Sequence, residues 1–369
     1  MDSNTLSSLY LLPKPNLAPE NYLKAFKSIS PRFQGSSVPW ELAVPEKAYK
    51  AIKNDKEAYE KEIKELDLGY YYNIFIPTNE IFNFLKQSKI DKEKFSEYVK
   101  NDLAGHVETF KPDAESFSSA VEYDRLATVT GRLKTVSGPK ILHLQKKFRN
   151  MIESRWKNGK IIALDYKSLE PRVLLSVSGT QPDIEKDIYT QIKDQLFKSY
   201  DSITRDVVKK IILAELYGAG NEYIRNQLSE IRDIEWVINQ IRIFFGLEKV
   251  KDTLYKEWIK TDKKYVTNLY GRRIKTENSH TLINHYVQST AVDVSLLGFL
   301  NIINFIKEID HLNDIIPLFI LHDAIILDVN ENALNLLPAL CKVGATDIKK
   351  LENNIFYMSI DKEFANSSC

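Results

Sequence analysis

Apolar positions along the chain recur with two different periods, and the change between them predicts the elements. Two stretches are almost continuously apolar, IIALDY (161–166) and PLFILHDAIILDV (317–329). Runs this short and this rich in β-branched residues predict buried strands, the first ending at Asp165 and the second broken in two at His322-Asp323. Elsewhere the spacing is helical. From Glu46 to about Leu66 charges of both signs alternate around a narrow apolar stripe, which predicts an exposed helix laced with i,i+4 pairs. Shorter helices are predicted over about Asn79–Gln87 and Lys92–Asn101, after a β-like run from Tyr70 to Ile76. Helical patterns fill about Asp183 to Lys260. Residues 1–45 carry Pro13, Pro15, Pro19, Pro31, Pro39 and Pro45 and read as an extended arm. The sum is α+β, a mixed sheet interrupted by a helical insertion.

With 43% hydrophobic, 11% aromatic and 27% charged residues, the composition excludes a disordered tail and suits two or three domains at roughly 100–200 residues each. No stretch reads as a membrane span, and the first residues lack the basic flank of a secretory signal. Cys341 and Cys369 are the two cysteines, too few for a disulfide framework and without metal-finger spacing, so a reducing, cytoplasmic setting is expected. The net charge of +1 hides a strong asymmetry: residues 121–275 stand at +10, between flanks at −2 and −7. A polyanionic partner for the middle segment, or an ordinary Lys-rich solvated surface, accounts for it.

Asp165 and Asp323 each end an apolar strand, a costly place for a negative charge unless a cation neutralises it. Hard carboxylate oxygens suit Mg²⁺, whereas a single aspartate at a strand end is more commonly a cap or turn former. Between them, Arg205, Lys209, Leu213 and Tyr217 follow at steps of four, so one helix face offers two cations, an apolar surface and a ring. That face suits a nucleoside triphosphate; a plain amphipathic helix stopped by Gly218 and Gly220 is the alternative.

Together these segments resemble the family A DNA polymerases. LDYKSLEPR (164–172), RDVVKKIILAELYG (205–218) and LHDAIILDV (321–329) are similar to the family's motifs A, B and C, and TGRL (130–133), NLYGRRI (268–274) and NHYVQSTAVD (284–293) follow the family order. The resemblance implies a right-hand fold with a palm sheet, helical fingers and a reduced or atypical thumb. Residues 1–120 would be an N-terminal arm and thumb-like or accessory region, 121–185 and 275–369 the palm, and 186–274 the fingers. It implies that Asp165 and Asp323 hold two Mg²⁺ ions. Arg205 and Lys209 would grip the incoming triphosphate, with Lys209 protonating the leaving pyrophosphate. Tyr189 stands where the family usually has a phosphate-contacting His. Glu170 would crowd the sugar 2′ position, Leu213 would lie against the sugar and Tyr217 would close the templating pocket. Arg132, Asn284, Gln288 and His322 would contact the primer–template.

The chain also departs from the pattern. Ala324 replaces the last residue of the family's His-Asp-Glu, Leu213 replaces an aromatic, Pro171 follows the gate glutamate, and His280 stands where Arg is common. Asp55-Lys56-Glu57 has nuclease-like spacing but lies in the charged helical pattern, so no proofreading is expected. The activity implied is template-directed transfer of dNTPs to a 3′-hydroxyl with low intrinsic processivity. The expected partners are DNA template, primer strand and dNTPs, with a small accessory protein and a helicase, and no membrane. A primase-like enzyme that starts strands and a non-catalytic nucleic-acid-binding scaffold are the alternatives.

Overall fold

The computed structural model describes residues 3–12, 24, 28, 44–178, 183, 186–345, 356–361 and 364. The chain forms two compact units, Met1–Tyr71 and Tyr72–Cys369. The break falls inside the segment 1–120 that the sequence sets apart as thumb-like or accessory.

In the first unit the helix Ser3–Tyr10 replaces the N-terminal end of the expected arm, because Leu6, Leu9 and Tyr10 need a common buried face. The rest of the expected arm lies outside the described residues. The charge-laced helix forms over Glu46–Glu65, with Tyr59 as its buried residue and Lys53 beside Glu57 at 3.9 Å. Ser7 and Tyr59 share a hydrogen bond of 2.9 Å between their hydroxyls. The predicted strand Tyr70–Ile76 is instead helical, a π-turn over Tyr71–Phe75 running into Ile76–Asn79. Tyr71 and Phe75, four apart, are both buried, and that spacing outweighs the strand preference of aromatic side chains. In the second unit, the helix expected over Asn79–Gln87 shrinks to a 3₁₀ turn, Glu80–Phe84, while Lys92–Asn101 forms as predicted, capped by Asp91 accepting from the Glu93 and Lys94 amides.

Three two-stranded ribbons in the second unit pair β1 (Lys89–Ile90) with β4 (Ile152–Glu153), β2 (Glu122–Asp124) with β3 (Lys134–Ser137), and β6 (Tyr265–Thr267) with β7 (Arg273–Lys275). The central sheet contains β5 (Lys160–Tyr166), β8 (Ile315–Leu321), β9 (Ala324–Val329) and β10 (Met358–Asp361), antiparallel throughout in the order β10-β5-β9-β8. Both faces of its middle strands are covered, which is why the β5 and β9 sequences are continuously apolar and not alternating.

The long helix Leu282–Glu308 packs against the helix Leu169–Ser178, and its Phe299 ring lies 6.2 Å from that of Tyr166 on β5. By length and composition it is apolar enough to cross a membrane, which corrects the expectation that no stretch is. Two thirds of its apolar window is buried inside the protein, so its all-round apolarity belongs to a core helix. At its centre Asp293 is fully buried and takes hydrogen bonds from Arg125 at 3.0 Å and from Asn268 at 2.7 Å. Arg125 is buried too and also donates to Thr78 at 2.6 Å, tying three distant segments to one carboxylate. Helices Ile188–Leu196, Arg205–Leu216, Asn221–Gln227, Ile234–Phe244 and Leu247–Lys260 fill the insertion between β5 and β6.

Candidate active site

Register brings the backbones of the two aspartates together, Asp165 near the end of β5 and Asp323 in the turn between β8 and β9. Asp165 on β5 lies across from Ala324 on β9, and the amide of Tyr166 donates to the carbonyl of Asp323 at 3.3 Å. Asp323 therefore lies one register step beyond Ala324, in the turn that leads into β9. Ala324, where the family pattern has an acid, sits directly opposite Asp165. Both aspartates are presented beside unusual backbone. His322 has φ +57°, which allows a two-residue turn between β8 and β9, and Ser168, between β5 and the next helix, has φ +52°.

Burial pushes the Asp323 carboxyl up to about 6, with the nearby Glu170 charge adding to the rise and Arg132 opposing it. A half-buried carboxylate of this kind suits a bound cation. Mg²⁺ is commonly held by one or two carboxylates, its remaining ligands being waters and substrate phosphate oxygens. Among the described residues no group of three or more His, Cys, Asp or Glu side chains forms a closed metal cage. The hard carboxylate that lines the cleft, Asp323, with Asp165 on the neighbouring strand, fits a divalent cation shared with an anionic substrate.

Asp323 lines a cleft of about 730 Å³ whose walls carry most of the other residues singled out in the sequence. Glu170, Leu213, Tyr217, Tyr189, Gln288, Arg132 and His322 all face it. Asp165, Arg205, Lys209 and Asn284 do not line it; Asn284 lies one turn before Gln288 on the long helix. Glu170 opens the helix Leu169–Ser178, where a negative charge is favoured at the N-terminus. Its carboxylate is held from both sides, by Arg132 Nη2 at 2.5 Å and by the Tyr217 hydroxyl, which donates at 3.1 Å. Tyr217 occupies the C-cap of Arg205–Leu216 in a Schellman ending, with the Gly218 amide donating to Glu215 O at 3.2 Å and the Ala219 amide to Ala214 O at 2.8 Å. Gly218, at φ +71°, is thus the stop expected of it. Gly220 is not a stop: it is the N-cap of the next helix, because Gly218 has already turned the chain.

Arg205 and Lys209 lie next to the ring of Tyr189, their charged ends 5.3 Å and 5.8 Å from its centre. Tyr189 is 5% exposed and serves as an apolar platform for both cations. His322 stands at the surface of the hairpin tip. Desolvation of its ring, with the charges of Arg132 and Arg149 nearby, holds its pKa below the ordinary imidazole value. A hydrogen-bonding anion is the natural partner for that cationic rim.

Some functional geometry was beyond sequence reasoning. His143 and Ser168 line the cleft, and Asp187 clamps Arg205 with bonds of 2.8 Å and 3.0 Å. The Asp187-x-x-Thr190 pattern is a helix-start signal, but nothing local points from it to an arginine 18 residues away. The pairing of Asn268 with Asp293 lay hidden inside two motif strings. So did the fit of Gly131 (φ +80°) against Arg272, where an added Cβ would fall 2.3 Å from the guanidinium.

Known proteins similar to this chain are DNA polymerases. The thermostable DNA polymerase I of Thermus caldophilus and that of Thermus thermophilus are each 26% identical over 250 residues, covering 60% of this chain and 29% of theirs. The Thermus aquaticus protein is 25% identical over 251 residues. The chain thus spans less than a third of the length of the curated relatives it matches. Among solved structures, the polymerase domain of Pol1 from M. smegmatis, in complex with DNA primer-template and dNTP, superposes with a TM-score of 0.59. It shares 18% identity and covers 73% of this chain and 52% of its own. That likeness establishes the fold of a polymerase domain. The family model for DNA polymerase family A matches residues 78–354, three quarters of the sequence, and the chain belongs to that family.

Proposed function

We propose that the chain is a template-directed DNA polymerase that joins a deoxynucleotide to a primer 3′-hydroxyl. The observation that carries this reading is the backbone adjacency of Asp165, near the end of β5, and Asp323, in the turn before β9, where Asp323 lines a cleft whose wall presents a fixed carboxylate, Glu170. Family membership and the DNA and dNTP named for the mycobacterial neighbour support it.

Asp165 and Asp323 would hold Mg²⁺, two ions in the reading taken from the sequence. When bound, such ions polarise the transferring phosphoryl group and favour the ionised 3′-oxygen. The protein's own groups do the positioning. Arg205 and Lys209, steadied by the Tyr189 ring, suit the triphosphate, and Lys209 is a proton donor for departing pyrophosphate. Glu170, immobilised by Arg132 and Tyr217, leaves the sugar face of the cleft bounded by a carboxylate, which opposes a 2′-hydroxyl. Leu213 supplies an apolar wall, and Gln288, Asn284, His322 and Arg132 suit the duplex near its terminus, with backbone contacts fixing position and not sequence. Low processivity, a small accessory protein, a helicase and a cytoplasmic location belong to the same proposal and rest on the sequence alone.

The test is extension of a 5′-labelled primer on a template strand, beside the same template without primer, with dNTPs or NTPs and with Asp323→Ala as control. Primer extension with dNTPs that disappears in the variant is expected. Products from the unprimed strand would favour a strand-starting enzyme, and DNA binding with no product in either arm would make the chain a scaffold.

A further inference from the structure

The guanidinium that the proposed function assigns to the triphosphate is already engaged. Arg205 Nε and Nη2 donate to the two carboxylate oxygens of Asp187 at 3.0 Å and 2.8 Å, a fork-to-fork pairing of the same shape a phosphate would make. Asp187 is fixed in place, because one of those oxygens also accepts from the amide and the hydroxyl of Thr190, both at 2.8 Å, as the N-cap of Ile188–Leu196. Arg205 is held further by the Tyr189 ring and by Asp206, whose carboxylate accepts from Nη1 at 3.1 Å. Burial alone would raise the Asp187 carboxyl, yet the bonds from Arg205 and Thr190 outweigh it and hold the pKa below the usual carboxylate value. The anion is therefore present whenever nucleotide binds at neutral pH.

We propose that Asp187 is a resident phosphate surrogate: its carboxylate occupies the Arg205 fork, and a polyphosphate binds there by displacing it. Resting on the assignment of Arg205 to the triphosphate, this makes nucleotide entry an exchange of one anion for another. Asp187 acts through Arg205 and is a positioning residue. It holds the guanidinium in orientation for the incoming phosphates and lowers affinity for any ligand too weak to displace it. Both partners are about two-fifths exposed, so the competition is modest, on the order of two- to five-fold in affinity.

Asp187→Asn separates this role from the helix cap, since Asn caps as well as Asp but carries no charge. Inorganic tripolyphosphate is the probe, titrated calorimetrically into wild type, Asp187→Asn, Arg205→Ala and the double variant, with circular dichroism confirming folding. Asp187→Asn is expected to bind about two- to five-fold more tightly than wild type, and the gain should vanish in the Arg205→Ala background. In primer extension the same variant should show a lower KM for dNTP, the change falling on KM rather than on kcat. Equal or weaker binding by Asp187→Asn, a gain that persists without Arg205, or no binding by any variant would overturn the proposal. Wild type that binds tripolyphosphate with the expected pattern but never extends a primer would leave the exchange standing and remove the polymerase reading.

Discussion

Replacing Asp323 with Asn should stabilise the protein while removing its activity. Burial lifts the carboxyl from 3.8 to about 6, so above that pH the folded chain carries an ionised group that it would rather hold protonated. At 1.36 kcal/mol per pK unit, partial exposure to water reduces the penalty to about 1–3 kcal/mol. The sign follows from linkage. The folded pKa lies above the unfolded one, so folding takes up a proton between pH 3.8 and about 6, and stability contributed by the protonated form is lost as pH rises through that window. Asparagine keeps the shape and drops the charge. Urea denaturation of wild type and Asp323→Asn from pH 4 to 8, without divalent ions, should show a gap that is small at pH 4, widens to about 6 and stays constant beyond. Adding Mg²⁺ at neutral pH should then narrow the gap from the wild-type side, since an ion bound to the folded state alone adds stability by mass action. A variant less stable than wild type at pH 8, or a gap independent of both pH and Mg²⁺, would refute the placement of a strained, cation-seeking carboxylate at this turn.

Other expectations concern the scaffold and the sugar face. Asp293→Ala leaves the buried Arg125 charge without its carboxylate and should cost about 3–5 kcal/mol in denaturant unfolding. Gly131→Ala combines a φ of +80° with a Cβ 2.3 Å from the Arg272 guanidinium, and a loss of at least about 1–3 kcal/mol is expected from thermal melts. Glu170→Ala should raise the ratio of NTP to dNTP incorporation by about tenfold or more, a differential of roughly 1.4 kcal/mol. Arg132→Ala should do part of the same by releasing Glu170, and the double variant should be no more permissive than Glu170→Ala, because residues joined by one hydrogen bond couple. Additive effects would separate Arg132 from the gate.

The parts of the fold legible in the sequence are those where one local signal acts alone. IIALDY and FILHDAIIL could be placed as strands because both faces are buried and nothing competes with the apolar run. Lys92–Asn101 and Glu46–Glu65 had helical periodicity with an end signal. Tyr70–Ile76 misled because its aromatics suit a strand locally, while Tyr71 and Phe75 find their burial through helical spacing. The apolarity of Leu282–Glu308 is harder to read because Asp293 sits within it in sequence, although in space that charge is paired with Arg125 from 168 residues away. The same reason explains the site. Asp165, Asp323 and the stripe Arg205 to Tyr217 were visible as strand ends and as a helix face. The Asp187–Arg205 clamp and the Arg132–Glu170–Tyr217 tie depend on loop geometry that no spacing encodes.

The most direct measurement is single-nucleotide insertion on four primer–templates differing only in the next template base, each offered one dNTP at a time. Wild type should add the complementary nucleotide in every case, and Asp165→Asn and Asp323→Asn, both still folded and still binding DNA, should lower the rate by about a thousandfold or more, several kcal/mol of barrier. Insertion that ignores the template base, or that survives in either variant, would contradict a template-directed polymerase built on these two aspartates.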